Sequence, residues 1–235
     1  MKIKGIKWTY SKLICISLFI FHSLNCHSQK EGNQWYFGYR AGLSFNSSPP
    51  KALNDSKIYQ WEGCSSMSDE SGNLLFYTDG ITVWNKMHKE MENGTNLFGH
   101  YSSTQSALIV KKPKSNSIYY IFTTNTNDIP FPDTPNLGVC YSIGDLSINN
   151  GEGKLVLKNA PILPSLSTEK ITAVKHANKS DIWIITAQYT SSFLQAFLLN
   201  ENGINSTPIT SKVPDKFKAK HGCLKASASG DLIGD

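Results

Sequence analysis

One unit is written four times between residues 62 and 235, and the fourth copy stops partway. The first runs align as Trp61–Met67, Thr104–Val110, Thr168–Val174 and Lys220–Ala226. After each comes a polar turn rich in Gly, Pro, Asn and Ser, then a second apolar run: Asn73–Tyr77, Ser117–Phe122, Asp181–Ile185 and Asp231–Ile233. Two strand-like runs bounded by turn residues predict a β-hairpin in each copy. No stretch holds a 3.6-residue apolar period with caps at both ends, so the expected fold class is all-β.

Counted from Glu62 through Gln105 and Glu169 to His221, the copies recur at intervals of 43, 64 and 52 residues. Four-stranded propeller blades recur at roughly 40 to 50 residues, with insertions falling in loops. The long second interval contains Asn125–Asn136, whose three prolines and polar filling predict a loop. The expectation is a partial β-propeller of about three four-stranded blades plus a truncated fourth. Copy one continues into Ile81–Asn85 after Asp79-Gly80, a tight-turn signal. Copy two continues into Val139–Ile143 and Lys154–Leu157, and copy three into Phe193–Leu199. Ahead of the copies, residues 29–61 form an amino-terminal strand segment, with a strand pair at Gln34–Gly38 and Leu43–Phe45 broken by Ser47–Pro50. Three blades and half a hairpin do not close a ring, so the chain reads as the front of something longer, with unpaired edges open to self-association.

Lys2, Lys4, Lys7 and Lys12 precede an apolar stretch from Leu13 to Leu24, followed by Cys26-His27-Ser28. That pattern predicts a secretory signal over residues 1–28 and an exported protein, secreted or at the cell surface. The apolar run is shorter than the roughly 20 residues a membrane span needs. The formal charge of +5 falls to +1 without the four leader lysines, and Arg40 is the sole arginine, so nothing favours nucleic acid. Cys64, Cys140 and Cys223 remain after the leader, and the equivalent placement of Cys64 and Cys223 predicts buried core thiols rather than a bridge. No Cys/His spacing calls for zinc, and no cofactor is expected.

At these residues the chain resembles the amino-terminal propeller of large secreted proteins from gliding Bacteroidetes-type bacteria, which often end in a type IX secretion sorting domain. The stretches that carry the likeness are Trp35–Gly38 with Ala41–Leu43, Glu62–Cys64 through Asp79–Asn85, Ser103–Ala107, and Ser167–Lys170 with Ala173–Ala177. The resemblance implies a WD-like or quinoprotein-amine-dehydrogenase-like propeller, export and a surface location. It implies no catalytic residues. The later blades and the sorting domain are absent from this sequence.

Candidate ligand-binding residues are the aligned Glu62, Gln105, Glu169 and His221, expected at the start of each copy's first strand around a channel mouth, with Trp61 beside them. Polar side chains in such places also satisfy loop backbone groups. Asp69, Asp79 and Asp181 fit turn closure better than metal binding. His176 fits a hydrogen-bonded loop histidine. Trp183 alternates with isoleucines and is expected in the core, while Trp61 is the best candidate for an exposed ring that stacks on a sugar. The resulting expectation is a non-catalytic module that binds a protein or glycan partner through one face. A secreted glycan-acting hydrolase using Glu62 and Glu169 as an acid/base pair is the alternative.

Overall fold

The computed structural model describes residues 30–126, 138–164, 167–217, 219–227 and 230–234, so the expected signal sequence and most of the proline-rich loop lie outside the described residues. Every described sheet is antiparallel, none is closed, and no α-helix occurs among the described residues. The one helical turn is a short 3₁₀ segment at Asn149–Gly151.

The first sheet comprises β1 (Gln34–Phe37), β2 (Ala41–Ser44) and β3 (Lys51–Leu53) in that spatial order. β3 was not anticipated, because Ser47–Pro50 reads as a break. Here that break is only a connector, carrying a cis Ser48–Pro49 bond, and the chain returns to pair with β2. The second sheet is β4 (Ser65–Ser68), β5 (Leu74–Thr78) and β6 (Val83–Asn85). The third is β7 (Ala107–Lys111), β8 (Ile118–Thr124), β9 (Val139–Asp145) and β10 (Lys154–Leu163). The fourth runs β11 (Ser167–Lys175), β12 (Ile182–Gln188) and β13 (Phe193–Asn200), whose far edge is shared by β14 (Gly203–Ile204) and β15 (Ile209–Lys212). Finally β16 (Lys225–Ala226) pairs β17 (Ile233–Gly234).

Four hairpins therefore stand where the aligned runs predict them, but the sheets are less regular than four strands each. Only the third sheet has four plain strands. In the second, the fourth position is reduced to a single bridge between Trp84 and Glu90. Asn85 Oδ1 accepts the Met87 and Lys89 N–H groups there, so the chain curls where it would otherwise extend. Asp79-Gly80 does not make a two-residue turn either. Thr78 pairs Val83, leaving a four-residue loop in which Asp79 Oδ1 accepts the N–H groups of Ile81 and Thr82 at 2.8 and 2.7 Å.

Alternation along the strands explains how the sheets stack. On β8, Tyr120 and Phe122 point into one apolar cluster while Tyr119 and Ile121 point into another. Successive side chains of a strand face opposite sides, so a wholly apolar run belongs to a strand buried on both faces. The first of these clusters joins Val110, Tyr120, Phe122 and Val139 to Ile171, Ile184, Phe197 and Leu199 of the fourth sheet. The second joins Ile109, Tyr119, Ile121 and Leu155 to Phe76 and Val83 of the second sheet. A third, smaller cluster sets Tyr36 and Ile58 against Tyr77. Phe76 and Tyr77, adjacent on β5, thus serve two different cores. Consecutive sheets are stacked face to face in chain order, and truncating a side chain such as Phe122 would cost about 3–5 kcal/mol.

Two expected core residues are not in the core. Trp183 is half-buried, its ring 5.4 Å from His176, because it lies at the start of β12 beside the exposed β11–β12 turn. Cys223 is exposed because it precedes the two-residue β16, where little packs over it, whereas Cys140 is buried and Cys64 half-buried. None of the three forms a disulfide among the described residues, and burial pushes the thiol pKa of Cys64 and of Cys140 up to about 11.

Candidate functional site

The first strands of the sheets lie beside one another in chain order: β1 by β4, β4 by β7, β7 by β11 and β11 by β16. The candidate residues gather at one end of this row, although only Glu169 is inside a strand. Glu62, Gln105 and His221 occupy turns or bends two to four residues ahead of β4, β7 and β16. The Ser103 carbonyl accepts N–H groups from both Gly63 and Ser106, which turns the chain at Gln105 and defers β7 to Ala107.

Gln105, Glu169 and His221 come together through Thr104. Glu169 is fully buried, and its Oε2 accepts the Thr104 N–H at 2.8 Å and the Thr104 hydroxyl at 2.9 Å. The Glu169 backbone N–H donates to the Lys220 carbonyl, which draws the fourth hairpin alongside β11. Among the described residues Glu169 Oε1 has no hydrogen-bond partner; the His221 Nε2 lies 3.9 Å away, beyond hydrogen-bond range, and the His221 side chain is about half exposed at 53%. Gln105 Oε1 accepts the Ile171 N–H at 2.9 Å and the Leu224 N–H at 2.8 Å, so one amide oxygen ties three segments together.

Sequence reasoning missed the residues that complete this seam. Thr124 Oγ1 donates to the Gln105 carbonyl and shares a hydrogen bond with Ser103 Oγ at 2.8 Å. Gln60, buried with 1% of its surface exposed, places its Nε2 within 2.8, 3.0 and 3.1 Å of the Gly63, Asp79 and His100 carbonyls. Its position directly before Trp61 in an alternating run was the available signal.

Glu62 and Trp61 stand apart from the buried seam and face solvent. The Trp61 N–H donates to the Tyr101 carbonyl, and the two rings meet edge to face at 4.7 Å with Trp61 61% exposed. Next to them, burial holds the His100 imidazole below its ordinary value, partly countered by the Glu62 carboxylate.

The aspartates close turns. Asp69 Oδ1 accepts N–H groups from Ser71 and Asn73, and Asp181 Oδ2 accepts the Asn178 amide. His176 Nδ1 accepts the Asn178 N–H at 3.0 Å, a loop role. No group of three or more His, Cys, Asp or Glu able to hold a metal ion occurs among the described residues, and no described helix is long and apolar enough to cross a membrane.

Chemically, the seam spends its polar atoms on backbone groups from neighbouring sheets. Glu169 is withdrawn from solvent, whereas Glu62 faces it. Protein-family models, curated proteins and solved structures offer no match to this chain.

Proposed function

We propose that this chain is a non-catalytic binding module, a partial β-propeller carried by a secreted or cell-surface protein, which engages a protein or glycan partner through one face. The propeller reading draws its support from consecutive antiparallel sheets stacked in chain order with their first strands side by side. The observation that carries the binding reading is the division of labour at one end of those strands. Gln105 and Glu169 are committed to holding segments together, whereas the exposed aromatic rings beside Glu62 have no core to fill. Export rests on the leader pattern and on the resemblance described above.

Immobilised protein exposed to a cell-surface extract tests this reading. Binding without release of reducing sugar is the expected result. Loss of binding after periodate treatment of the extract identifies a glycan partner, and loss after protease treatment a protein. Turnover of glycosides by the purified chain would favour the hydrolase alternative, and absence of any binding would overturn the reading.

A further inference from the structure

Ser68 ends β4 and Lys111 ends β7, so the cleft that both line is at the opposite end of the first strands from Gln105. Its volume is about 470 Å³, in the range of small-molecule sites, and the second and third sheets both contribute to its walls. Two polar atoms of its lining residues, Glu31 Oε2 and Ser68 Oγ, are closed off from bulk water and have no hydrogen-bond partner among the described residues. Ser68 as a whole is only 1% exposed. Its backbone N–H donates to the Glu31 carbonyl at 2.9 Å, which holds the two residues side by side. Buried polar groups are almost always paired, so this pair of atoms calls for a partner from outside the chain.

A carboxylate oxygen only accepts, so whatever completes Glu31 brings a donor. The field at this end favours a cation. Burial raises the Tyr119 phenol above its ordinary value, and the charges of Glu31, Asp69 and Glu70 raise it further. Calcium takes about six to eight oxygens, and the cleft does not supply them. Asp69 spends Oδ1 on the Ser71 and Asn73 N–H groups and Oδ2 on the Asn73 amide. A primary ammonium, with three donors on one atom, suits a carboxylate beside a hydroxyl.

The same cleft also offers positive charge. Lys111 is directly opposite Tyr119 in the β7–β8 register, so the two side chains share a face. Lys86 lines the cleft as well, its Nζ 3.3 Å from where a Cβ on Gly151 would stand. Neither lysine belongs to an ion pair among the described residues. A simple anion would leave Glu31 unpaired, whereas a ligand with both an ammonium and a carboxylate satisfies both sets of groups.

We infer that this cleft binds a small zwitterion, an amino acid or short peptide, with its ammonium on Glu31 and Ser68 and its carboxylate on Lys111 and Lys86. Calorimetric titration of the full chain with glycine, glutamate and glycylglycine tests this, beside methylamine, acetate and calcium chloride. Glu31→Gln, Ser68→Ala, Lys86→Met and Lys111→Met are compared with Lys212→Met, an exposed lysine on β15 outside the cleft. Thermal melts check that each variant is folded.

The expected result is binding of at least one zwitterion, about ten-fold or more tighter than methylamine or acetate. Glu31→Gln should weaken it about ten-fold or more, Ser68→Ala should weaken it less, and Lys212→Met should leave it unchanged. Lys111→Met should weaken zwitterion binding but not methylamine binding, which separates the two ends of the site. Zwitterion binding that survives Glu31→Gln in a folded protein overturns the site. Binding that survives both Lys86→Met and Lys111→Met overturns the zwitterion assignment, as does binding of calcium or acetate alone, or of no zwitterion at all. The cleft is remote from Trp61 and Glu62 along the strands, so none of these outcomes decides whether the chain engages a surface partner.

Discussion

Glu169 Oε2 accepts both the backbone N–H and the hydroxyl of Thr104, at 2.8 and 2.9 Å, from a position with no solvent exposure. Hydrogen bonds to a charged acceptor contribute about 1.5–3 kcal/mol, and a buried group left unpaired costs at least as much. Glu169→Ala is expected to lower unfolding free energy by about 3 kcal/mol and Thr104→Val by about 1–2 kcal/mol. In a double-mutant cycle by chemical denaturation the pair should couple by more than about 1 kcal/mol. Additive losses would show that the two residues act separately.

Gln105 joins three segments through one oxygen, so its removal should act on the seam and not on the sheets. Gln105→Ala leaves the Ile171 and Leu224 N–H groups without their acceptor. Hydrogen exchange should speed up at those two amides by about ten-fold or more, while the β8 amides keep their protection. Uniform acceleration across all sheets would mean global destabilisation instead.

Asp79 gives a pH dependence with a definite sign. Burial raises its carboxyl above the ordinary 3.8, against N–H donation from Thr82 and Ile81. The folded state thus binds the proton more tightly than the unfolded chain, and this group's contribution falls as pH rises from the unfolded value through the folded one. Above that window the cost is constant. Asp79→Asn keeps the acceptor oxygen and removes the charge, so it should be at least as stable as wild type at neutral pH and should lose its advantage near pH 3. Asp79→Ala, which removes the acceptor as well, should be about 1–2 kcal/mol less stable than Asp79→Asn. Denaturant melts of the three proteins across acid pH check this.

The β16–β17 pair is a two-stranded sheet whose Leu232 and Ile233 are 70% and 40% exposed. Unpaired strand edges with apolar side chains recruit other chains. Self-association of the wild-type chain should increase with concentration in light scattering, and Leu232→Lys should suppress it by placing charge at the edge. A wild-type chain monomeric throughout the series would remove the basis for this expectation.

Strand positions were legible because they follow local pattern. The apolar run Ile118–Phe122 with its polar turns could hardly be anything but a strand, and the structure buries it on both faces. Turn chemistry was equally local: Asp69 bonds N–H groups two and four residues away. Trp183 and Cys223 misled for the opposite reason. Trp183 sits in an apolar run and Cys223 in the place equivalent to Cys64, but burial depends on which sheet covers each strand end, and that is set by partners far along the chain.

By itself the sequence determined the all-β class, the four hairpins and the exposed Trp61, since these depend on side-chain period and turn residues within a few positions. The tertiary structure alone decided what the aligned polar residues do. Gln105 bonds residues 66 and 119 positions away, and Glu169 bonds one 65 positions away. Such bonds arise where stacked sheets meet and leave backbone N–H groups that need acceptors. Only the packing likewise sets Tyr39 against Tyr59 and Tyr101 against Trp61, because ring contact between segments has no signature in the order of residues along either.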